Sequence, residues 1–141
     1  MNKHATTKQR VVALGIDVGS VTLKATLINS DGQVLKQDSA PVRGQLRQSA
    51  SGLVHAALQD VSGAIAVGVT GGGKDSLDFG GGAFLENDLV ATARAVCRLY
   101  PQARGIIEVG GHQSKWVRLG KGRELESFSV TTQVPLRREI G

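Results

Sequence analysis

The sequence predicts an α/β domain built on a mixed sheet, and three features of the 141-residue chain support this prediction. Strand-like segments joined by short turns come first, which is typical of an antiparallel meander. Helical patterns then alternate with short apolar strands, which favours a sheet covered by helices on both faces. Finally, 19 of the 141 residues are glycine, about twice the ~7% that is usual in proteins. Many of these glycines cluster at the ends of predicted strands.

The opening meander is predicted over residues 11–40. Val11–Val18 has the pattern of a buried strand, Val21–Asn29 alternates between apolar and polar residues, and Gln33–Ala40 is a third strand. The turn Ser30–Gly32 contains Asp-Gly, a pair that hairpin turns prefer. This start argues against a plain dinucleotide-binding fold, which begins βαβ. Neither GxGxxG at a helix start after the first strand nor GxxxxGK[ST] is present.

The later segments follow the order helix, strand, helix, strand and end in a hairpin. They are predicted at Leu46–Val61, Ala64–Thr70, Phe84–Tyr100, Arg104–Val109, and Trp116–Leu119 with Leu125–Val130. Apolar residues recur every three or four positions in both helices. Pro101 ends the second helix, and Gly120–Gly122 forms the hairpin turn.

Composition narrows the class of protein. The net charge is +5, but the 17 Lys and Arg residues are scattered and aromatic residues are only 4%, so a base-stacking nucleic-acid surface is not indicated. No apolar run approaches the ~20 residues of a membrane span. Cys97 is the single cysteine, which excludes a disulfide framework and favours a reducing cytoplasm. Its helical surroundings predict a core thiol.

Three glycine-bearing corners follow predicted strands and form the candidate site: Asp17–Ser20, Thr70–Lys74 and Glu108–Gly111. The first and third share a plan, D-x-G-S-x-x-x-K against E-x-G-G-x-x-x-K, which ends in Lys24 and Lys115. Backbone N–H groups at such corners can bind phosphate oxygens, and the two carboxylates can hold Mg²⁺ directly or through water. The spacing shared by the first and third corners therefore predicts a site for nucleotide phosphates.

Each of these residues also has a simpler interpretation when it is taken alone. Asp17 is a common turn residue, Gly19 serves any tight turn, and both lysines are typical of a solvated surface. His112 has no partner at a spacing that indicates a metal site or a triad. Ser20 lies in no GxSxG elbow, which makes a serine hydrolase a poor match. The prediction of a phosphate site therefore rests on the spacing that the first and third corners share and not on any single residue.

These residues resemble a known family. "GIDVGSVTLKATLIN" is similar to the phosphate-binding hairpin of the acetate and sugar kinase, heat-shock ATPase and actin superfamily. "TGGGK" and "LYPQARGIIEVGGHQSK" resemble the BadF/BadG/BcrA/BcrD ATPase family, as does Asn87–Leu89 at a helix start. Its members are activators of 2-hydroxyacyl-CoA dehydratases and ATPase subunits of benzoyl-CoA reductases. The resemblance covers roughly Val11 to Phe128, and its most specific motif is the third corner.

The resemblance implies a ribonuclease-H-like α/β lobe, one of the two lobes that enclose ATP and Mg²⁺ in an actin-like ATPase. We therefore expect a disordered tail at 1–10, one ATPase lobe at 11–130 and a truncated or atypical segment at 131–141. Asp17 and Glu108 are the expected catalytic and magnesium-holding residues, and Glu108 would order the attacking water or the metal. The residues expected to bind the nucleotide phosphates are Gly19, Ser20, Val21, Lys24, Gly71, Gly110, Gly111 and Lys115.

The chain departs from the family pattern in ways that concern electron transfer. Family activators use ATP hydrolysis to drive an electron from a four-iron four-sulfur cluster, held between two subunits, into the dehydratase or reductase. Their cysteine-bearing segment corresponds here to Ser129–Arg137, with Val134 near the expected cysteine, so no iron–sulfur ligand is expected from this chain. Gln113 stands where the family often has Asp, and Thr92 where it has His.

The expected partners are a second copy or a second ATPase lobe, together with the dehydratase or reductase component, and neither nucleic acid nor a membrane. Three functions stay open. The first is the ATPase lobe of an activator that couples hydrolysis to electron transfer into a CoA-ester dehydratase or reductase. The second is a sugar or metabolite kinase lobe, which needs a catalytic base that the sequence does not show. The third is a non-catalytic nucleotide-binding fragment, so turnover by the isolated chain is left open.

Overall fold

The computed structural model describes residues 10–109, 113–122 and 124–132. The chain divides into two compact units, 1–87 and 88–141, and each unit has a buried apolar cluster of its own. The lobe predicted over 11–130 spans both units. The expected tail, apart from Arg10, and the expected C-terminal segment, apart from Thr131 and Thr132, lie outside the described residues.

The first unit contains the predicted mixed sheet, with five strands in the order β3-β2-β1-β4-β5. The opening three strands are antiparallel neighbours, whereas β4 lies parallel to β1 and β5 parallel to β4. The strands are β1 (Val11–Val18), β2 (Thr22–Asn29), β3 (Val34–Pro41), β4 (Ala66–Thr70) and β5 (Ala83–Leu85). Helix α1 (Leu46–Leu58) follows the meander, and a short 3-10 turn covers Lys74–Ser76.

The core of the first unit lies on one face of the sheet, because side chains along a strand alternate between its two faces. Register pairs Leu14 with Leu27, Ile16 with Ala25 and Val18 with Leu23, and all six are nearly or fully buried. Helix α1 adds Ala50, Leu53 and Ala57 to this cluster. The alternation that buries Ile16 and Val18 places Asp17 on the opposite face.

The second unit has a smaller antiparallel sheet and one helix. Helix α2 (Asp88–Leu99) precedes β6 (Gly105–Val109), β7 (Gln113–Leu119) and β8 (Leu125–Thr132), and the strands lie in the order β6-β7-β8. Its buried cluster consists of Leu89, Ala93, Cys97, Val117 and Leu119. Cys97 is buried within this cluster, so the predicted core thiol is confirmed.

Several boundaries differ from the sequence prediction by one to four residues, and the largest difference is the start of the second helix, which the sequence places at Phe84. The chain first forms β5, which pairs with β4, and the Glu86 N–H donates to the Val69 carbonyl at 2.9 Å. This extended pairing delays the helix until Asp88, whose Oδ1 accepts the Leu89 N–H at 2.9 Å. Periodicity alone missed β5 because a three-residue strand is too short to show alternation. Among the described residues, no helix is long and apolar enough to cross a membrane.

Truncating Leu23 is expected to be costly, because its side chain is completely buried in the first core. Leu23→Ala should lower the free energy of unfolding by about 2–5 kcal/mol through lost burial and the cavity left behind. Urea denaturation followed by circular dichroism measures this change. Val21→Ala is the control, because Val21 is 68% exposed and its truncation should cost no more than about 0.5 kcal/mol. Equal effects of both substitutions would contradict the assignment of the core.

Candidate functional site

The first corner begins with an ion pair at the end of β1. Asp17 lies directly opposite Lys24 on β2, and Lys24 Nζ donates to Asp17 Oδ2 at 3.1 Å. The Lys24 side chain is 63% exposed and that of Asp17 is 39% exposed. Exposed ion pairs are only weakly stabilising, so both groups can exchange this contact for a ligand at little cost.

Thr70 lies on the other side of Asp17. Strand β4 is parallel to β1, and its register places Thr70 beside Asp17. Residues in register on adjacent strands share a face of the sheet, so Lys24, Asp17 and Thr70 form one row across β2, β1 and β4, which we call the Asp17 row. Thr70 Oγ1 is buried and has no hydrogen-bond partner among the described residues.

The second corner packs directly against the first. Gly71 has a positive φ of 96°, and a Cβ there would lie 2.5 Å from the Val18 carbonyl oxygen and 2.7 Å from Asp17 Oδ1. The Gly73 N–H donates to the same carbonyl at 2.9 Å. A Cβ on Gly19 would lie 2.6 Å from the Thr22 carbonyl oxygen. Glycine at these positions therefore lets the backbone of both corners lie close to the Asp17 carboxylate.

The remaining predicted residues of the first corner lie in the turn between β1 and β2. Ser20 and Val21 are both exposed, and the Val21 carbonyl accepts the Val42 N–H at 2.9 Å. This bond ties the end of the turn to the chain that follows β3.

The third corner belongs to the second unit and is built around a buried lysine. Glu108 on β6 lies directly opposite Lys115 on β7. Lys115 Nζ lies 2.6 Å from Asp88 Oδ2 and 3.6 Å from Glu108 Oε1. The Lys115 side chain is 8% exposed, whereas that of Glu108 is 50% exposed. Gly110 and Gly111, which the sequence predicts to bind phosphate, lie outside the described residues, as does His112.

This ion pair shifts the pKa of both of its main partners. Desolvation by burial acts to raise the pKa of Asp88, but the hydrogen bond and charge of Lys115 outweigh it and lower the pKa below 3.8. Desolvation likewise acts to lower the pKa of Lys115, but Asp88 and then Glu108 outweigh it and raise the pKa above 10.5. The pair therefore stays charged at neutral pH.

The spacing that the first and third corners share in the sequence corresponds to the same strand pairing in two hairpins. In both hairpins the acidic residue and the lysine seven positions later lie directly opposite each other on antiparallel strands. The two lysines differ in exposure, because Lys115 is held by a second carboxylate, Asp88. Sequence reasoning assigned no role to Asp88 or Thr70, although each stands at the boundary of a predicted strand or helix beside a corner.

The chain is similar to a known protein family over most of its length. A family model described as the BadF/BadG/BcrA/BcrD ATPase family matches residues 14–134. The chain belongs to the BadF/BadG/BcrA/BcrD ATPase family. The predicted family is thereby confirmed. No curated protein matches the chain.

Solved structures of similar fold include two dehydratase activators. The activator of 2-hydroxyisocaproyl-CoA dehydratase from Clostridium difficile, with bound ADPNP, has a TM-score of 0.72 and 21% identity over 87% of this chain and 46% of its own. Component A of (R)-2-hydroxyglutaryl-CoA dehydratase from Acidaminococcus fermentans has a TM-score of 0.74 and 21% identity over 89% and 48%. This family member thus has the fold of an actin-like ATPase domain and spans about half the length of either protein.

More distant likeness extends to a protein from Sinorhizobium meliloti assigned as a 2-dehydro-3-deoxygalactonokinase. It has a TM-score of 0.52 and 14% identity, and covers 85% of this chain and 53% of its own. The predicted superfamily fold, shared by kinases and ATPase activators, is consistent with this likeness.

The residues of the first corner fit a magnesium–phosphate group. Asp17 is a partly exposed carboxylate, Thr70 has an unsatisfied buried hydroxyl, and the glycine backbone lies close to both. Within the described residues no group of three or more His, Cys, Asp or Glu could hold a metal. Mg²⁺ is usually held by one or two carboxylates with water and substrate phosphates completing its shell, so a single carboxylate is compatible with that ion.

The iron–sulfur cluster that the family resemblance implies finds no fitting ligand in this chain. Cys97 is its single cysteine, and the thiol is buried within the cluster formed by Leu89, Ala93, Val117 and Leu119. Clusters of this type are held by four Cys thiolates, and one thiol packed among apolar side chains does not supply such a set. Nucleotide binding by this chain does not depend on an iron–sulfur cluster.

Gly71→Ala is expected to destabilise the first unit by about 2 kcal/mol or more, because it combines a positive φ with contacts to Val18 and Asp17. Gly72→Ala is the matched control: nothing lies within 4 Å of its Cβ position, and the change should stay within about 0.5 kcal/mol. Chemical denaturation of both variants measures the difference. A neutral Gly71→Ala would show that the two corners do not pack as described.

The Asp88–Lys115 pair is expected to stabilise the fold over a defined pH range. The lowered pKa of Asp88 means that its contribution is complete above about pH 3.8 and is lost as the pH falls through the folded-state value. The raised pKa of Lys115 means that its contribution is complete below about pH 10.5 and is lost as the pH rises through its folded-state value. Asp88→Asn should therefore cost about 1–2 kcal/mol at pH 7, less than a fully buried pair because Asp88 is 38% exposed.

Urea denaturation at several pH values tests this expectation. The difference between wild type and Asp88→Asn should shrink as the pH falls below 3.8 and through the lowered folded-state pKa of Asp88, because the carboxyl then becomes protonated. Asp60→Asn is the control because Asp60 is exposed. A cost for Asp88→Asn that is the same at acidic and neutral pH would contradict an ionic role for the pair.

Proposed function

We propose that this chain binds the phosphates of ATP or ADP with Mg²⁺ and forms the ATP-binding part of an activator of a CoA-ester dehydratase or reductase. The observation that carries the proposal is the Asp17 row, with the glycine backbone of the second corner packed against Asp17 and Val18. Membership in an ATPase family supports nucleotide binding by this chain. ADPNP bound to one dehydratase activator of the same fold supports it further.

Each residue of the first corner has a distinct task in this proposal. The Asp17 carboxylate holds the cation, directly or through water, and its partial exposure keeps it accessible from solvent. Backbone N–H groups at Gly19, Ser20, Val21 and Gly71 donate to phosphate oxygens. Lys24 transfers its charge from Asp17 to a phosphate at small cost, because their contact is exposed. The bound Mg²⁺ offsets the negative charge that develops on the phosphates.

The third corner, in the second unit, has proposed tasks of its own. The half-exposed Glu108 carboxylate orders the attacking water or the metal, and Gly110 and Gly111 donate backbone N–H groups to phosphate. Lys115 lies closer to Asp88 than to Glu108, which leaves the Glu108 carboxylate only partly neutralised. Lys115 thus contributes positive charge to the phosphate corner while it positions Glu108 across the strand pair.

Coupling to electron transfer requires partners beyond this chain. Two proteins of similar fold are components of dehydratase systems, which supports a dehydratase or reductase component as the target. A second copy or a second ATPase lobe would complete the nucleotide cleft. A single cysteine in the whole sequence supports a reducing cytoplasm as the compartment. A kinase lobe has less support, because its likeness is to fold alone at a lower TM-score.

Calorimetric titration with MgADP tests the phosphate site. Wild type should bind, and Asp17→Asn should weaken binding about tenfold or more, which equals about 1.4 kcal/mol, because the neutral amide holds Mg²⁺ poorly. Asp60→Asn is the matched control at an exposed aspartate and should bind as wild type does. Circular dichroism must show that all three proteins are folded.

Two results would contradict the proposal. One is a folded wild-type chain that binds no MgADP. The other is an Asp17→Asn variant that binds as tightly as wild type and Asp60→Asn. Repeating the titration with ADP and a chelator should reduce the difference between wild type and Asp17→Asn, because that difference depends on the cation.

A further inference from the structure

We propose that Thr70 is a ligand-binding residue of the first corner, whose hydroxyl forms a hydrogen bond with an oxygen of the bound magnesium–phosphate group. That oxygen belongs either to a phosphate or to a metal-bound water. The inference rests on the proposed function and deepens it, because it gives a role to an uncharged side chain at the first position of the second corner, for which the sequence predicted none.

The first argument is the unsatisfied hydroxyl. Thr70 Oγ1 is buried and lacks a hydrogen-bond partner among the described residues. Buried polar side-chain atoms are nearly always paired in folded proteins, and an unpaired one destabilises the fold. A threonine hydroxyl can donate one hydrogen bond and accept two. It can therefore donate to a phosphate oxygen or accept from a metal-bound water.

The second argument is position. Register places Thr70 next to Asp17 on the neighbouring parallel strand, on the face of the sheet that also carries Lys24. Asp17 Oδ2 is engaged by Lys24 at 3.1 Å, and Asp17 Oδ1 lies beside Gly71. A ligand held by Asp17 therefore has Thr70 as its neighbour on β4.

The third argument is rigidity. The loop that follows Thr70 is tied to the first corner by the bond from the Gly73 N–H to the Val18 carbonyl at 2.9 Å. Gly71 lies so close to Val18 that no side chain fits between them. Thr70 is the last residue of β4, and the loop fixes its backbone beside Asp17 before a ligand arrives. The residue is only partly buried, so rotation about χ1 can bring its hydroxyl to the ligand. Groups positioned in advance bind without a further loss of conformational entropy.

Two substitutions separate a ligand-binding role from a structural one. Thr70→Val keeps the shape and removes the hydroxyl, whereas Thr70→Ser keeps the hydroxyl. Without ligand, Thr70→Val should melt at the wild-type temperature or a few degrees above it, because it removes an unsatisfied polar group. MgADP binding by Thr70→Val should weaken about tenfold, as expected for one lost hydrogen bond to a charged group. Thr70→Ser should bind within about threefold of wild type.

The source of the oxygen is decided by titrating wild type and Thr70→Val with ADP in the presence of Mg²⁺ and in the presence of a chelator. A loss of affinity that persists without Mg²⁺ identifies a phosphate oxygen. A loss that appears only with Mg²⁺ identifies a metal-bound water. Both results support the role of Thr70.

Three results would overturn the inference. If wild type binds MgADP, Asp17→Asn binds poorly and Thr70→Val binds as wild type does, the role of Thr70 is wrong and the proposed function stands. If Thr70→Val lowers the melting temperature without ligand while Thr70→Ser does not, the hydroxyl is bonded within the protein and its role is structural. If the folded wild type binds no MgADP, both the inference and the proposed function are wrong.

Discussion

The close approach of the Gly71–Gly73 backbone to Val18 is the constraint on which the first corner depends. A parallel pairing of β4 with β1 brings the two strand ends side by side. At Gly71 and Gly73 only a residue without a Cβ avoids striking Val18, and at Gly71 Asp17 as well. The same parallel pairing places Thr70 next to Asp17, and the Thr70 hydroxyl is buried without a hydrogen-bond partner among the described residues. Core packing on one face and the proposed phosphate site on the other are therefore two results of a single alternation along β1.

The two echoed corners use the same pair of residue types with different electrostatics. Lys24 and Asp17 form an exposed contact, which water screens and a ligand can replace. Lys115 is buried between two carboxylates, of which Asp88 is the nearer. A buried lysine that loses such a partner is left with an uncompensated charge, so Lys115 is fixed in place. The first corner is suited to exchanging partners with a ligand, and the third to holding Glu108 in a set orientation.

The pairing of an acidic residue with a lysine occurs once in each of the two compact units. Each compact unit contains an antiparallel hairpin with an acidic residue opposite a lysine at the same spacing. Family membership and the likeness in fold to dehydratase activators support the proposal of a nucleotide-binding function. The chain spans about half the length of those activators, and the iron–sulfur chemistry implied by the family finds no fitting cysteine in it. Nucleotide binding is thus the property that this chain's own residues best explain.

The sequence by itself determined the meander, both helices, the buried Cys97 and the three corners, because each depends on local periodicity or on glycine at a strand end. The Asp17–Lys24 and Glu108–Lys115 pairs were visible as a spacing of seven residues. Only the tertiary structure decided that β5 pairs with β4, that Lys115 is buried against Asp88, and that Thr70 lies beside Asp17. These contacts join residues that are distant in the chain, 27 positions apart for Lys115 and Asp88. No local pattern encodes them, because strand register and side-chain burial are set by how the whole sheet packs.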